Sequence, residues 1–81
     1  MKVSILTPEK NLFEGEAKSI KVPGIGGGFE ILDRHAPIIS ALGKGLVSLT
    51  QSDGQKQQFP ILSGFIEVLN NEVSILVRAG K

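Results

Sequence analysis

Cysteine, tryptophan and tyrosine are missing from this sequence of 81 residues, and four phenylalanines supply its only aromatic rings apart from a single histidine. The missing cysteine excludes disulfides, thiolate metal ligands and a thiol nucleophile. The scarcity of aromatics leaves few platforms on which nucleic-acid bases could stack. Nine basic and eight acidic residues give a net charge of +1 and are scattered along the chain. No basic block follows a phosphate backbone, so nucleic-acid binding is not expected. No apolar run approaches the roughly 18 residues of a helical membrane span. The opening run Met1–Thr7 is broken by Pro8, which suits a strand better than the apolar stretch of a signal peptide.

Chemical motifs are scarce as well. Gly43-Lys44 lacks the rest of a phosphate loop: Ile38 stands where that loop needs glycine, and Gly45 where it needs serine or threonine. Gly24-Ile25-Gly26 starts like a dinucleotide fingerprint, but Phe29 fills the sixth position and no helical pattern follows. No serine sits on a Gly-x-Ser-x-Gly turn. His35 has only Glu30 and Asp33 as nearby carboxylates, too few for a metal site. It reads as a structural corner or partner contact before it reads as a catalyst. The expectation is a chain without catalytic residues, metal or cofactor.

What is present is a strand pattern. The length allows one domain, spanning residues 1–81. A folded chain of 8.6 kDa exposes about 4,700 Å² by area scaling, so its core is small. Strands are read at Val3–Thr7, Leu12–Glu14, Glu16–Val22, Leu46–Gln51, Gln55–Leu62, Phe65–Leu69 and Val73–Val77; Phe29–Leu32 is a short apolar segment, and Ile38–Leu42 is a strand or one helical turn, its length favouring strand. Gly15 reads as a break, and alternation places Lys18, Ile20 and Val22 on one face of their strand. Pro60 marks an edge or bulge, and Ser63-Gly64 a bend. Asp53-Gly54 and Asn70-Asn71 suit tight hairpins. No window holds a helical period, and the expected fold is all-β, an antiparallel sandwich of two sheets.

The densest stretch, Pro23–Pro37, carries four of the ten glycines, two of the four prolines and the histidine. Gly26-Gly27-Gly28 is either a flexible turn or a place where another backbone approaches closely, since glycine has no Cβ. A small lipoyl- or biotinyl-like carrier domain is the alternative from another class. It requires a lysine at a hairpin tip, whereas the tips here are Asp53-Gly54 and Asn70-Asn71, and no Met-Lys-Met occurs.

Several segments in order resemble the epsilon subunit of F-type ATP synthases: Thr7-Pro8-Glu9 with Phe13-Glu14-Gly15, then Pro23-Gly24, Gly28-Phe29, Ile31-Leu32 and His35-Ala36-Pro37, then Ala41-Leu42 to Gly45, then Ser63–Val68. The resemblance covers nearly the whole chain and implies that family's N-terminal β-sandwich, without the helical hairpin that carries its ATP-binding motif. It therefore implies a non-catalytic central-stalk component, coupling the gamma subunit and the c-ring during proton-driven ATP synthesis and binding no ATP. Its implied place is the cytoplasmic face of a bacterial inner membrane, touching the membrane only through the c-ring. Thr7, His35 and Ser40 match positions facing the gamma subunit, and Gly27 and Gly28 match the loop facing the c-ring. Where the family often has Glu, this chain has Gly28, and Asp33-Arg34 replaces the usual Pro-Gly. The resemblance thus leaves Glu30 or Arg34 as the charge shifted into that contact.

Overall fold

A computed structural model describes residues 1–80, and their regular structure is entirely strand. The strands are β1 (Lys2–Leu6), β2 (Asn11–Val22), β3 (Phe29–Leu32), β4 (Ile38–Leu42), β5 (Gly45–Gln51), β6 (Lys56–Leu69) and β7 (Glu72–Ala79). β2 and β6, at 12 and 14 residues, are at least twice the common strand length of about 5–6. Each serves both layers of a sandwich.

The first layer joins β4 to the C-terminal half of β6, then β7, β1 and the N-terminal half of β2. The second joins β3 to the C-terminal half of β2, then β5 and the N-terminal half of β6. The long strands change layer where their register slips, between Ala17 and Ser19 in β2 and between Ile61 and Ser63 in β6. An extra residue bends a strand and sharpens its twist, which lets it turn the corner between sheets. Because β1 also pairs with β2, the path β1–β7–β6–β5–β2 closes on itself, with β3 and β4 as added edges. The sandwich read from the sequence is present; one pair within it, β1 with β7, runs parallel.

Three local expectations are corrected. Gly15 does not end a strand; it lies inside β2, where a Cβ would come 3.2 Å from the ring of Phe13. Ser63-Gly64 does not end a strand either: β6 runs through it, its bend falls at the slip between Ile61 and Ser63, and a Cβ on Gly64 would sit 2.5 Å from the Leu76 carbonyl of the neighbouring strand. Both glycines admit a neighbour rather than break the chain. Lys18 does not share a face with Ile20 and Val22. The bulge inverts the alternation, so Ala17 points inward and Lys18 outward.

Val3, Ile5, Ile66, Val73 and Ile75 from the first layer meet Ile20, Ile31, Val47, Leu49 and Ile61 from the second. Burying each such side chain stabilises the fold by about 1.5–3 kcal/mol. No polar or charged residue is fully buried among the described residues, although the Oε1 atom of Gln51 is covered without a hydrogen-bond partner. The accessible surface is 5001 Å², close to the scaling expectation.

The sandwich has two ends. At one, Met1 meets the Asp33–Pro37 turn and the Asn70-Asn71 hairpin. At the other lie the Thr7–Lys10 turn, the Pro23–Gly28 loop and Gly43. Five residues of β1 separate them, about 16 Å at 3.3 Å per residue.

Candidate functional site

Residues directly opposite each other on paired strands project to the same face. Ala41 on β4 faces Phe65 on β6, Phe65 faces Leu76 on β7, and Leu76 faces Leu6 on β1. This four-strand row lies on the outer face of the first layer. Phe65 is 60% exposed and Leu76 55%. Ile39 and Leu69, also exposed on this sheet, stand in rows that carry Glu67 and Glu72, whereas Ile25 reaches the four-strand row from the glycine loop. The row forms the floor of an open depression of about 580 Å³, rimmed by Thr7, Pro8, Ile25 and Arg78.

This face was not among the expected sites, although the sequence carries a signal for it. Ile75-Leu76-Val77 and Phe65-Ile66 place apolar residues consecutively, so both faces of those strands are apolar. Strict alternation would leave one face polar.

The residues that the resemblance singled out are distributed over the molecule. Thr7 rims the apolar depression, and its side chain is committed to its own turn. Its Oγ1 accepts from the amides of Glu9 and Lys10 at 3.2 and 3.1 Å. Gly27 and Gly28 lie in the loop at the same end. Gly27 has φ +130 and donates its amide to the Gly24 carbonyl at 3.0 Å. Gly24 is the tight position of this loop: a Cβ there would lie 2.6 Å from the Gly27 carbonyl and 2.7 Å from the Phe29 ring. Ser40 sits midway along β4, hydrogen-bonded to the Ala41 carbonyl at 3.3 Å.

Arg34 and His35 lie at the opposite end from Thr7, across the length of β3 from Gly27 and Gly28. Arg34 holds φ +62 and donates its amide to Asn71 Oδ1 at 2.7 Å. His35 donates Nδ1–H to the Ala36 carbonyl at 2.7 Å, bracing the corner before Pro37. Glu30 projects from β3 on the outer face of the second layer, directly opposite Lys21. Thus Gly27 and Gly28 do not converge with Arg34, and Glu30 belongs to a third surface.

The end that carries Arg34 and His35 is tied down by the α-ammonium of Met1. It donates to Asp33 Oδ1 at 2.8 Å and to the Ala17 carbonyl at 3.1 Å, with Glu16 3.7 Å away. This ammonium, and then the Asn71 side chain, hold the Asp33 carboxyl below the usual 3.8. No group of three potential metal-binding side chains occurs among the described residues.

Residues 1–80 match the model of the ATP synthase Delta/Epsilon chain β-sandwich domain. The chain belongs to this family. An ATP synthase epsilon chain of Chlorobium limicola is 43% identical over 75 residues, covering 93% of this chain and 85% of the relative. That of Protochlamydia amoebophila is 44% identical over 77 residues, covering 95% and 52%. The chain therefore spans about half the length of the latter relative. Two solved structures share the fold of this β-sandwich domain. One is a chain of the Euglena gracilis mitochondrial ATP synthase with OSCP, F1 and c-ring (TM-score 0.86, 21% identity, 93% of this chain and 48% of that one). The other is from the central stalk and c-ring of the Tetrahymena thermophila enzyme (TM-score 0.79, 20% identity, 96% and 63%). These likenesses give the carrier-domain alternative no support.

Proposed function

We propose that this β-sandwich domain is a coupling element of a rotary ATP synthase stalk, gripping the gamma subunit on one surface and the c-ring on another. The observation that carries the reading is the apolar row Ala41–Phe65–Leu76–Leu6, laid across four strands that the sandwich holds rigid. Such a row is costly to leave in water and suits a lasting contact. A standard contact takes about 800 Å² from each partner, so two would cover roughly a third of the 5001 Å² surface. In this reading Thr7 borders the gamma contact and His35 braces a corner at its far end, while Ser40, which shares the inner face of β4 with Ile66, reaches the contact only along the open edge of that strand. Gly27 and Gly28 present bare backbone to the c-ring, with Glu30 and Arg34 supplying charge on flanking surfaces.

The domain contributes shape and stiffness, and the chemistry belongs to the assembly it joins. It turns over no ATP and recognises no adenosine. Its place is peripheral, on the cytoplasmic face of a bacterial membrane, reaching the bilayer through the c-ring during proton-driven synthesis.

Capture by immobilised gamma subunit and by purified c-ring tests this. Phe65→Glu combined with Leu76→Glu should reduce capture by gamma at least tenfold while the circular dichroism spectrum stays that of a folded sandwich. His35→Ala should weaken gamma capture, and Glu30→Ala c-ring capture, each by a smaller factor. Undiminished gamma capture by the folded double variant would remove the apolar row from the contact.

A further inference from the structure

The outer face of the second layer is chemically the reverse of the apolar one. Register places Ser19, Thr50 and Lys56 in one row and Lys21 and Ser48 in the next, with Glu30 beside Lys21. Short hydroxyl side chains form the floor, and the long side chains of Lys21, Lys56 and Glu30 form walls. The result is a trough of about 380 Å³. Ser19, Ser48 and Thr50 are half-buried. None of the side-chain hydrogen bonds or ion pairs among the described residues engages these hydroxyls or ammonium groups. Even Lys21 and Glu30, directly opposite across β2 and β3, do not pair.

We propose that this trough binds a phosphoryl oxyanion. Three hydroxyl donors on the floor and two ammonium groups on the walls match the acceptor oxygens of a phosphate. Lys21 and Lys56 stand two strands and two residues apart, about 12 Å between backbones from ordinary sheet spacings, so their side chains reach one anion between them. Other ligand classes fit poorly. A divalent cation finds a single carboxylate, and a sugar or base finds no aromatic ring to stack on in the trough. The chemistry is shared by free phosphates and by anionic lipid headgroups. The proposal is independent of the stalk reading.

Titration calorimetry with inorganic diphosphate, and flotation with vesicles of phosphatidic acid in phosphatidylcholine, test it and separate the two sources. Wild type should bind at least one probe saturably, with chloride at equal ionic strength unable to substitute. ATP should bind no more tightly than inorganic triphosphate, since nothing in the trough holds adenine. Lys21→Gln and Lys56→Gln should each weaken binding about fivefold or more. Glu30→Gln should tighten it severalfold by removing the one repelling charge, an effect that a folding defect would not imitate. Saturable diphosphate binding assigns a free phosphate, and vesicle binding alone assigns a headgroup. Binding of neither probe, or binding unaffected by the lysine changes, overturns the proposal.

Discussion

Arg34 shows how one backbone angle sets the meaning of a residue. Its φ of +62 is a conformation that costs a side-chain-bearing residue about 1–2 kcal/mol. The family pattern that the sequence resembles places glycine there, the residue that occupies this region without penalty. Arg34→Gly should therefore leave the midpoint of urea unfolding unchanged or slightly raised. Arg34→Val should lower stability by about 1 kcal/mol or more. Next to it, the lowered pKa of Asp33 gives a pH signature. The folded state favours the ionised form, so the stabilisation is present above the ordinary carboxylate range and disappears as pH falls through the lower folded value. Asp33→Asn should melt below wild type at neutral pH, and the two melting curves should converge in strong acid. Parallel curves at every pH would show that the ammonium contact adds nothing.

At the level of strands and turns, two glycines hold neighbouring segments at contact distance. A methyl group on Gly64 would meet the Leu76 carbonyl at 2.5 Å in the middle of a paired sheet, where neither strand can retreat. Gly64→Ala should cost about 1–3 kcal/mol by overpacking, measured by chemical denaturation. Gly24→Ala should cost a similar amount and shift the Phe29 ring, an effect visible in its NMR chemical shifts. These positions also explain what the sequence revealed. The hairpins at Asp53-Gly54 and Asn70-Asn71 were legible because their turn chemistry is local, and Gly54, Asn70 and Asn71 do adopt positive φ. Gly64 was misread as punctuation because its reason, the Leu76 carbonyl, is distant in sequence, whereas Gly15 makes room for the ring of Phe13 two residues away, a closeness visible only once both are placed on one face of a continuous strand. The bulge near Ala17 was invisible because nothing in β2 itself announces that one residue will slip. The apolar outer row was legible in principle at Ile75-Leu76-Val77, but only once both faces of a strand are considered. The glycine loop was found directly, whereas the separation of Gly28 from Arg34 needed the path of β3.

On the scale of the whole molecule, a small core and a long-range closure dominate. Domains of this kind have total stabilities of about 5–15 kcal/mol. Truncating a fully buried side chain such as Ile20 or Ile66 to alanine should remove about 2–5 kcal/mol, much of that total. Such variants should unfold tens of degrees earlier in a thermal scan. The pairing of Lys2 with Glu72 through Leu6 with Leu76 joins the start of the chain to its last strand. Most of the fold must therefore be assembled before the ring closes. Folding should fall in the millisecond-to-second range of non-local β topologies. A chain ending at Asn70 should lack a cooperative unfolding transition, because β1 and β6 would both lose a partner.

The passage of β2 and β6 from one layer into the other has a mechanical consequence. In an ordinary sandwich, a sideways load on one sheet is resisted mainly by interdigitated side chains, which can slide. Here two continuous peptide backbones cross between the sheets like stitches, so slippage would stretch main-chain bonds. A sideways load applied to one sheet should therefore reach the other with little lost to internal give.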